Sequence, residues 1–201
     1  MPDAAGHYFD AQPGVASRPS TVSLTLPDRT FRLATDRGVF SAERVDDGTK
    51  YLLLEAPEPP ASGVFVDLGC GYGPIACTLA ARAPGATVWA VDVNDRALAL
   101  CRANAEAHEL GNVHAARPQD VPADLAVDLI WSNPPIRIGK AALHDLLLSW
   151  LGRLTPTGRA VLVVQKHLGA DSLQHWLVTE GWPAERLGSR SGYRLLEVSR
   201  P

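Results

Sequence analysis

Residues 66–75, VDLGCGYGPI, contain the pattern that decides the fold class. An apolar run ends in a loop with Gly69, Gly71 and Gly73 at alternate positions, and a helix-compatible run begins at Pro74. Glycine allows a tight turn and a close approach of the backbone to a ligand, and proline suits the first position of a helix. In open α/β sheets, ligands bind beyond the carboxyl ends of the strands. The segment therefore predicts a strand, a ligand-binding loop and a helix, with a turn without function as the alternative.

On both sides of this loop, apolar runs alternate between the lengths of strands and helices. Strands separated by helices of this length form βαβ units and a parallel sheet. Two further segments at the C-terminus predict a hairpin around Ser191 and Gly192, which adds an antiparallel strand and makes the sheet mixed. The predicted strands of the sheet are residues 63–69, 87–93, 112–116, 126–132, 159–166, 184–190 and 193–200, and the predicted helices are residues 45–56, 74–83, 95–110, 140–154 and 170–181.

The N-terminal part of the chain does not show this alternation of strands and helices. An irregular arm is predicted to precede a small β-hairpin, formed by residues 20–26 and 31–33 around the turn PDRT. We therefore expect two parts, an arm with a β-hairpin over residues 1–46 and an α/β domain over residues 47–201.

The glycine loop discriminates between classes of cofactor. Dinucleotide-binding folds use GxGxxG and rest a pyrophosphate on free N–H groups at a helix N-terminus. Here the pattern is GxGxG, and Pro74 has no N–H to donate to a phosphate. A carboxylate at Asp67, just before the loop, would repel a pyrophosphate and attract an ammonium or sulfonium. A cofactor with a positive centre, an amino-acid end and an adenosine fits these features, and S-adenosylmethionine has all three.

Two acids are candidates for contacts with the adenosine. Asp92 ends the second strand, nineteen positions after the third glycine, where a carboxylate can accept hydrogen bonds from both ribose hydroxyls. NAD-binding folds have an acid at the same place, so this acid alone does not discriminate between NAD and S-adenosylmethionine. Asp120 follows the third strand and is a candidate for the adenine amino group, with Val93 and Val121 packing on the ring; a surface acid in a turn is the alternative. Asn94 is a candidate helix cap.

A second informative segment is WSNPPI, residues 131–136, in which Asn133 ends an apolar strand. An exocyclic amine conjugated to a ring is a poor nucleophile because its lone pair is delocalised. The side-chain oxygen of Asn133 and the carbonyl oxygen of Pro134 can accept its two hydrogens and hold the nitrogen toward tetrahedral geometry, while Pro135 helps to stiffen the loop. No strong base is required before transfer, because the amine loses its proton after it becomes cationic. Catalysis then comes mainly from alignment of the two bound reactants, which lowers a barrier by roughly 7–11 kcal/mol. An Asx-type turn reinforced by proline is the alternative.

DLGCGYG, the acid at position 92 and SNPPI together resemble the class I S-adenosylmethionine-dependent methyltransferases. They are most similar to the methyltransferase-small group, which includes RsmC-like ribosomal RNA guanine-N2 methyltransferases, and residues 35–54, TDRGVFSAERVDDGTKYLLL, are similar to that group as well. The resemblance covers about residues 31–200. It implies a Rossmann-like seven-stranded mixed sheet with its last strand antiparallel, flanked by helices, and methyl transfer to the N2 amine of a guanine.

The resemblance also assigns roles to individual residues. Contacts with the methionine end of the cofactor are implied for Asp67, Gly69 and Gly71, with Gly48 and Thr49 close by, and amine binding for the Asn-Pro-Pro segment. Together with the reasoning above, the candidate cofactor-binding residues are Asp67, Gly69, Gly71, Gly73, Asp92, Val93, Asp120, Gly48 and Thr49; the candidate catalytic residues are Asn133, Pro134 and Pro135; and the candidate substrate contacts are Ile136, Arg137 and Lys140.

Two departures from the family pattern concern the substrate. The family usually carries Phe or Tyr after NPP, where the ring stacks on the target base, and this chain has Ile136. An aliphatic side chain gives up the ~1–3 kcal/mol that aromatic stacking supplies per base. Trp131 is a candidate replacement, with a core position as its alternative. Larger relatives also carry a second, degenerate methyltransferase-like domain, whereas residues 1–46 predict only an arm and a hairpin.

Charge and composition limit the expected partners. The 201 residues carry a formal net charge of −3, so RNA binding requires a local basic patch. Arg137 and Lys140 are candidates for phosphate contacts, with a solvated charged surface as the alternative. His7, Tyr8 and Phe9 are candidates for part of a substrate lid, with a disordered terminus as the alternative.

The same survey sets expectations for location and metal content. Three cysteines without CxxC spacing indicate reduced core residues, and no apolar run approaches the ~18 residues of a membrane span. The reduced cysteines indicate a cytoplasmic location. No metal is expected, because the histidines show no metal-ligand spacing. A monomer is favoured, with an oligomer as the open alternative.

The expected function is methylation of guanine N2 in small-subunit (16S) ribosomal RNA. Two alternatives keep the chemistry and change the amine to the N5 of a protein glutamine or the N6 of adenine, although relatives of both kinds usually have an aromatic residue after NPP. A non-catalytic cofactor- or RNA-binding module is the alternative from another class, and the intact Asn133-Pro134-Pro135 opposes it. A hydride-transfer enzyme that uses NAD is the weakest alternative.

Overall fold

The computed structural model describes residues 14–201, so the predicted lid of His7, Tyr8 and Phe9 lies outside the described residues. The described part of the chain contains nine β-strands and five α-helices. In chain order these are β1 (Ser20–Thr25), β2 (Thr30–Thr35), α1 (Asp47–Glu55), β3 (Ser62–Leu68), α2 (Pro74–Arg82), β4 (Gly85–Val91), α3 (Asp95–Ala107), β5 (Val113–Ala116), β6 (Val127–Ser132), α4 (Lys140–Leu151), β7 (Leu154–Gln165), α5 (Ala170–Thr179), β8 (Ala184–Arg190) and β9 (Tyr193–Ser199).

Seven strands form one mixed sheet in the order β5-β4-β3-β6-β7-β9-β8. The strands from β5 to β7 are parallel to one another, and β9 is antiparallel to both of its neighbours. This arrangement confirms the predicted α/β class, the seven strands and the antiparallel last strand. The chain runs from β3 outward to β5 and then returns to β6 on the other side of β3. The topological switch point, where such sheets bind ligands, therefore lies between the glycine loop after β3 and the Asn-Pro-Pro segment after β6.

Helices cover both faces of this sheet. The apolar side chains of α1, α2 and α3 belong to one buried cluster, which includes Leu52, Leu79 and Leu98. Those of α4 and α5 belong to a second cluster on the opposite face, which includes Leu147 and Leu177. All three cysteines are buried and carry free thiols, as expected of reduced core residues. Among the described helices, none has the length and apolar character needed to cross a bilayer.

Strands β1 and β2 form the predicted N-terminal hairpin as a separate two-stranded sheet. Its inward residues Leu24 and Leu33 are fully buried in the same cluster as α1 to α3. The side chain of Asn104, on α3, accepts a hydrogen bond from the Ala34 N–H at 2.7 Å and donates to the carbonyl oxygens of Ala34 at 2.9 Å and Tyr72 at 2.8 Å. One buried amide thus joins the hairpin to the loop that follows β3. The division of the chain into two parts at residue 46 stays a prediction.

Two of the element boundaries that differ from those expected have a clear structural cause. Helix α3 ends at Ala107 rather than at residue 110, because Glu109 adopts a left-handed conformation with φ of 57°. Strand β7 begins at Leu154 rather than at residue 159, since it pairs with Val127 before a register shift in β6. Both differences depend on backbone pairing that a hydrophobic pattern does not record.

Candidate active site

The glycine loop crosses from β3 to α2 in left-handed backbone conformations. The φ angles are 78° at Gly69, 54° at Gly71 and 90° at Gly73, and the Gly69 N–H donates to the Val91 carbonyl at 2.8 Å. A Cβ at Gly73 would lie 2.6 Å from the Cys101 Sγ, whereas nothing lies within 4 Å of one at Gly71. Gly73 therefore permits the loop to pack on α3, and Gly71 leaves open space beside the backbone.

Asp67 lies beneath this loop and is fully buried. One carboxyl oxygen accepts the Ala76 N–H at 2.9 Å, and the other has no hydrogen-bond partner among the described residues. Burial raises the pKa of Asp67 to about 8, against the hydrogen bond from Ala76 and with a smaller contribution from the charge of Asp92. The group is therefore mainly protonated at neutral pH and offers little of the negative charge expected from its position in the sequence. It does not line the cavity of about 340 Å³ between the glycine loop and the Asn-Pro-Pro segment, and its observed contact is with α2.

Asp92 connects the glycine loop to the end of β4. Its two carboxylate oxygens accept the N–H groups of Gly71 and Asn94, each at 2.9 Å. Burial raises the pKa of this carboxyl, and the two hydrogen bonds oppose that shift. The side chain is half-buried and borders the cavity. Each oxygen retains capacity for a further hydrogen bond, so the group suits a ligand with vicinal hydroxyls.

The residues proposed for the adenine ring lie in different places. Val93 is 44% exposed and borders the cavity together with Pro118. The Asn94 side chain accepts two N–H groups in the first turn of α3, which confirms its prediction as a cap. Asp120 is exposed in a short turn and Val121 is buried in the core, and neither borders the cavity. The contact between Asp120 and an adenine amine therefore stays a prediction, and Val121 is not positioned to pack on the ring.

Asn133 is held by two acceptors from the segment that begins α1. Its Nδ2 donates to Oδ1 of Asp46 at 2.8 Å and to Oγ1 of Thr49 at 3.0 Å. Because a carboxylate only accepts hydrogen bonds, this contact identifies which end of the amide is the nitrogen. Both hydrogens of the amide are used, so its oxygen is the atom that remains for a ligand. The side chain borders the cavity.

The backbone that follows Asn133 is folded into a tight turn. The Ile136 N–H donates to the Pro134 carbonyl at 2.8 Å, and Pro135 between them has φ of −75° and ψ of 71°, the conformation of an inverse γ-turn. The Pro134 oxygen therefore has one partner already and retains one lone pair for a donor in the cavity. The two prolines account for the rigidity of the turn, since their φ angles are restricted by the ring.

Asp46 is a candidate functional residue that sequence reasoning missed. Its Oδ1 also accepts the Thr49 N–H at 3.0 Å, so one oxygen caps α1 and holds the amide of Asn133. Gly48 and Thr49, both predicted near the cofactor, are buried behind it. A Cβ at Gly48 would lie 2.5 Å from Cε1 of Tyr193, so a larger residue there would displace the tyrosine ring. The signal for Asp46 was its place as an acid three residues before Thr49, which is typical of an N-cap.

A cavity of about 340 Å³, within the range of small-molecule sites, brings several of these groups together. It is lined by Gly69, Gly71, Asp92 and Val93 and by the Asn-Pro-Pro segment, and a Cβ at Gly69 would lie 3.8 Å from Cδ of Pro135. Sequence reasoning had not placed several of the lining residues here: Phe40, Asp46, Ala97, Leu146, Gln165, Leu168 and Tyr193. The cavity therefore brings the predicted cofactor loop and the predicted amine-binding segment to one site.

The predicted substrate contacts are only partly at this site. Ile136 borders the cavity but also packs against the core of α4 and α5, and Arg137 borders the cavity with an exposed side chain. Lys140 is exposed at the start of α4. Trp131 is fully buried, which confirms its core position and excludes it as a stacking surface. Within residues 14–201, no group of three or more metal-ligating side chains is arranged to hold a metal ion.

The methyltransferase small domain family matches residues 30–196 of this sequence. The chain belongs to this family. Its membership confirms the predictions of a methyltransferase and of S-adenosylmethionine as the cofactor. The cavity fits that group, because it combines open backbone at Gly71, a carboxylate at Asp92 and an apolar surface at Val93.

Relatives within the family differ in length. The chain is 36% identical to the protein YbxB of Bacillus subtilis over 83% of this chain and 84% of that protein. It is 32% identical to ribosomal RNA small subunit methyltransferase C of Shewanella halifaxensis, over 74% of this chain and 44% of that protein, and 32% identical to ribosomal RNA large subunit methyltransferase G of Streptomyces coelicolor, over 76% and 44%. This methyltransferase thus spans less than half the length of those two relatives.

A solved structure shows the same fold. The 16S rRNA N2 methyltransferase of T. thermophilus, RsmC, in complex with AdoMet and guanosine superimposes with a TM-score of 0.78 at 24% identity, over 94% of this chain and 52% of that protein.

Proposed function

We propose that this methyltransferase transfers the methyl group of S-adenosylmethionine to the exocyclic N2 amine of a guanine in small-subunit (16S) ribosomal RNA. The observation that carries the proposal is the orientation of Asn133, whose amide nitrogen is bound on both hydrogens by Asp46 and Thr49. The oxygen is thereby the free end of the amide, which suits a substrate that donates N–H groups.

The proposed chemistry needs placement rather than a strong base. Bound S-adenosylmethionine supplies a methyl group on a cationic sulfur. The oxygens of Asn133 and Pro134 accept the two hydrogens of the target amine, which directs its lone pair toward the methyl carbon. The nitrogen–carbon bond forms as the sulfur–carbon bond breaks, and the sulfur keeps that electron pair and becomes a neutral thioether. The methylated amine is then cationic and releases its proton to water.

The choice of ribosomal RNA has separate support. The relatives named above include enzymes of both ribosomal subunits, and the structural neighbour holds guanosine. Four exposed basic side chains follow β6 and β7 at the carboxyl ends of the sheet, where they suit contacts with phosphates: Arg137, Lys140, Lys166 and His167. A ribosomal RNA substrate also agrees with the cytoplasmic location expected from the sequence.

The test is tritium-methyl labelling of ribosomal RNA from a strain that lacks this gene, followed by nucleoside identification. We expect N2-methylguanosine from the small subunit, and we expect Asn133→Ala to lower kcat by about 100-fold or more, as does removal of one preorganised polar group in other enzymes. The affinity for S-adenosylmethionine, measured by calorimetry, should stay nearly unchanged.

Other outcomes separate the alternatives. Label in N6-methyladenosine or in protein glutamine would replace the guanine assignment and keep the amine chemistry. Cofactor binding without label in RNA or protein would indicate a non-catalytic module. Full activity of Asn133→Ala would refute the role of the Asn-Pro-Pro segment.

A further inference from the structure

The Asn-Pro-Pro segment and the residue that follows it bring no aromatic ring to the cavity. Ile136 stands where the resemblance leads one to expect Phe or Tyr, and Trp131 is fully buried. A base that leaves its stack loses stacking free energy, and contact with an aromatic side chain of the protein compensates for this loss. A ring from another element is therefore worth seeking among the residues that line the cavity.

Tyr193 is such a ring, and its backbone is rigidly placed. It is the first residue of β9, directly after a two-residue turn in which Ser191 and Gly192 both have positive φ, 49° and 83°. The Lys166 N–H donates to the Gly192 carbonyl at 2.7 Å, which joins the turn to the end of β7. Tyr193 pairs in register with Gln165 of β7, and both residues line the cavity.

The ring of Tyr193 also lies beside the groups that hold the amide of Asn133. A Cβ built at Gly48 would lie 2.5 Å from Cε1 of Tyr193 and 2.9 Å from Oδ1 of Asp46, so the ring and the carboxylate approach each other across the bare Cα of Gly48. That same Oδ1 is 2.8 Å from Nδ2 of Asn133. The aromatic side chain is thus one group away from the predicted amine-binding side chain.

The side chain of Tyr193 is half-buried. Burial raises the pKa of its phenol above the ordinary value, and the charges of Asp46 and Asp47 raise it further. The ring is therefore uncharged at neutral pH.

We propose that Tyr193 provides the aromatic surface against which the target base packs, in place of the ring that position 136 lacks. The proposal rests on the function proposed above and adds the residue that binds the base. It assigns substrate recognition to the hairpin of β8 and β9, while cofactor binding stays with the loops after β3 and β4.

The experiment compares Tyr193→Leu with Tyr193→Phe on ribosomal RNA. Loss of the ring should lower kcat/KM for RNA by about 5- to 150-fold, the equivalent of 1–3 kcal/mol of stacking. Tyr193→Phe keeps the ring and should lose less than Tyr193→Leu. The calorimetric affinity for S-adenosylmethionine and the melting temperature should be similar for both variants.

A rescue variant separates stacking from a structural role. In the Tyr193→Leu background, Ile136→Phe adds a ring at another residue that lines the cavity and should recover part of the lost kcat/KM. Three outcomes would overturn this inference alone. The first is an equal kcat/KM for Tyr193→Leu and the unsubstituted chain, and the second is a loss in cofactor affinity that matches the loss in kcat/KM. The third is a kcat/KM for Tyr193→Phe that falls as far as that for Tyr193→Leu. Failure of the unsubstituted chain to methylate any RNA would instead overturn the proposed function, and this inference with it.

Discussion

The hydroxyl of Thr49 provides a sharp test of how the Asn133 amide is oriented. Thr49→Val replaces this hydroxyl, which accepts from Nδ2 of Asn133 at 3.0 Å, by a methyl group of similar size. The backbone N–H of residue 49 still donates to Asp46, so the cap of α1 is preserved. Only one of the two acceptors that hold the amide is removed.

The expected effect follows from the value of one hydrogen bond. A typical bond contributes about 0.5–1.5 kcal/mol, so the productive orientation should be less favoured by about 1 kcal/mol, and kcat should fall by roughly fivefold. Asp46→Ser should have a larger effect of about 10- to 100-fold, because it removes a charge-assisted bond of about 1.5–3 kcal/mol while serine still caps the helix.

Steady-state methylation of RNA measures kcat, and calorimetry with S-adenosylmethionine measures the affinity for the cofactor. Thr49→Ser keeps the hydroxyl and is the matched control, with activity close to that of the unsubstituted chain. The sequence-based assignment of Thr49 to cofactor binding predicts a different result, in which Thr49→Val weakens cofactor affinity and leaves kcat unchanged. That result, or an equal loss in the Thr49→Ser control, would refute the orientation argument.

Three further variants test the surrounding structure. Because the pKa of Asp67 is raised from 3.8 to about 8, the folded chain retains a proton that the unfolded chain releases. This group should therefore lower the free energy of unfolding by about 1.4 kcal/mol for each unit by which the pH rises between pH 5 and 7. Asp67→Asn should remove that slope in urea denaturation, and an unchanged slope would contradict the raised pKa. Asp92→Ala should weaken S-adenosylmethionine binding by at least about tenfold in calorimetry, the equivalent of one hydrogen bond to a charged group, and retained affinity would exclude the ribose role. Asn104→Ala should destabilise the fold by about 3 kcal/mol, since buried groups of Ala34 and Tyr72 lose their partner; a change in unfolding free energy below 1 kcal/mol would show that water replaces the amide.

The sequence alone determined the α/β class, the mixed sheet, both hairpins and the segments that build the site. These features follow from local rules: glycine permits the left-handed loop after β3, proline restricts the turn after Asn133, and apolar alternation distinguishes strands from helices. Each rule acts over a few residues, so its outcome can be read from neighbouring positions.

Only the tertiary structure decided which distant side chains meet. Asp46 and Asn133 are 87 positions apart, and the bond between them exists because the sheet places β6 next to β3 while α1 begins at the same edge. Tyr193 reaches the cavity because β9 pairs with β7. Burial likewise made Asp67 a mainly neutral group, since the cost of an unsolvated charge depends on what surrounds the carboxyl and not on its place in a motif.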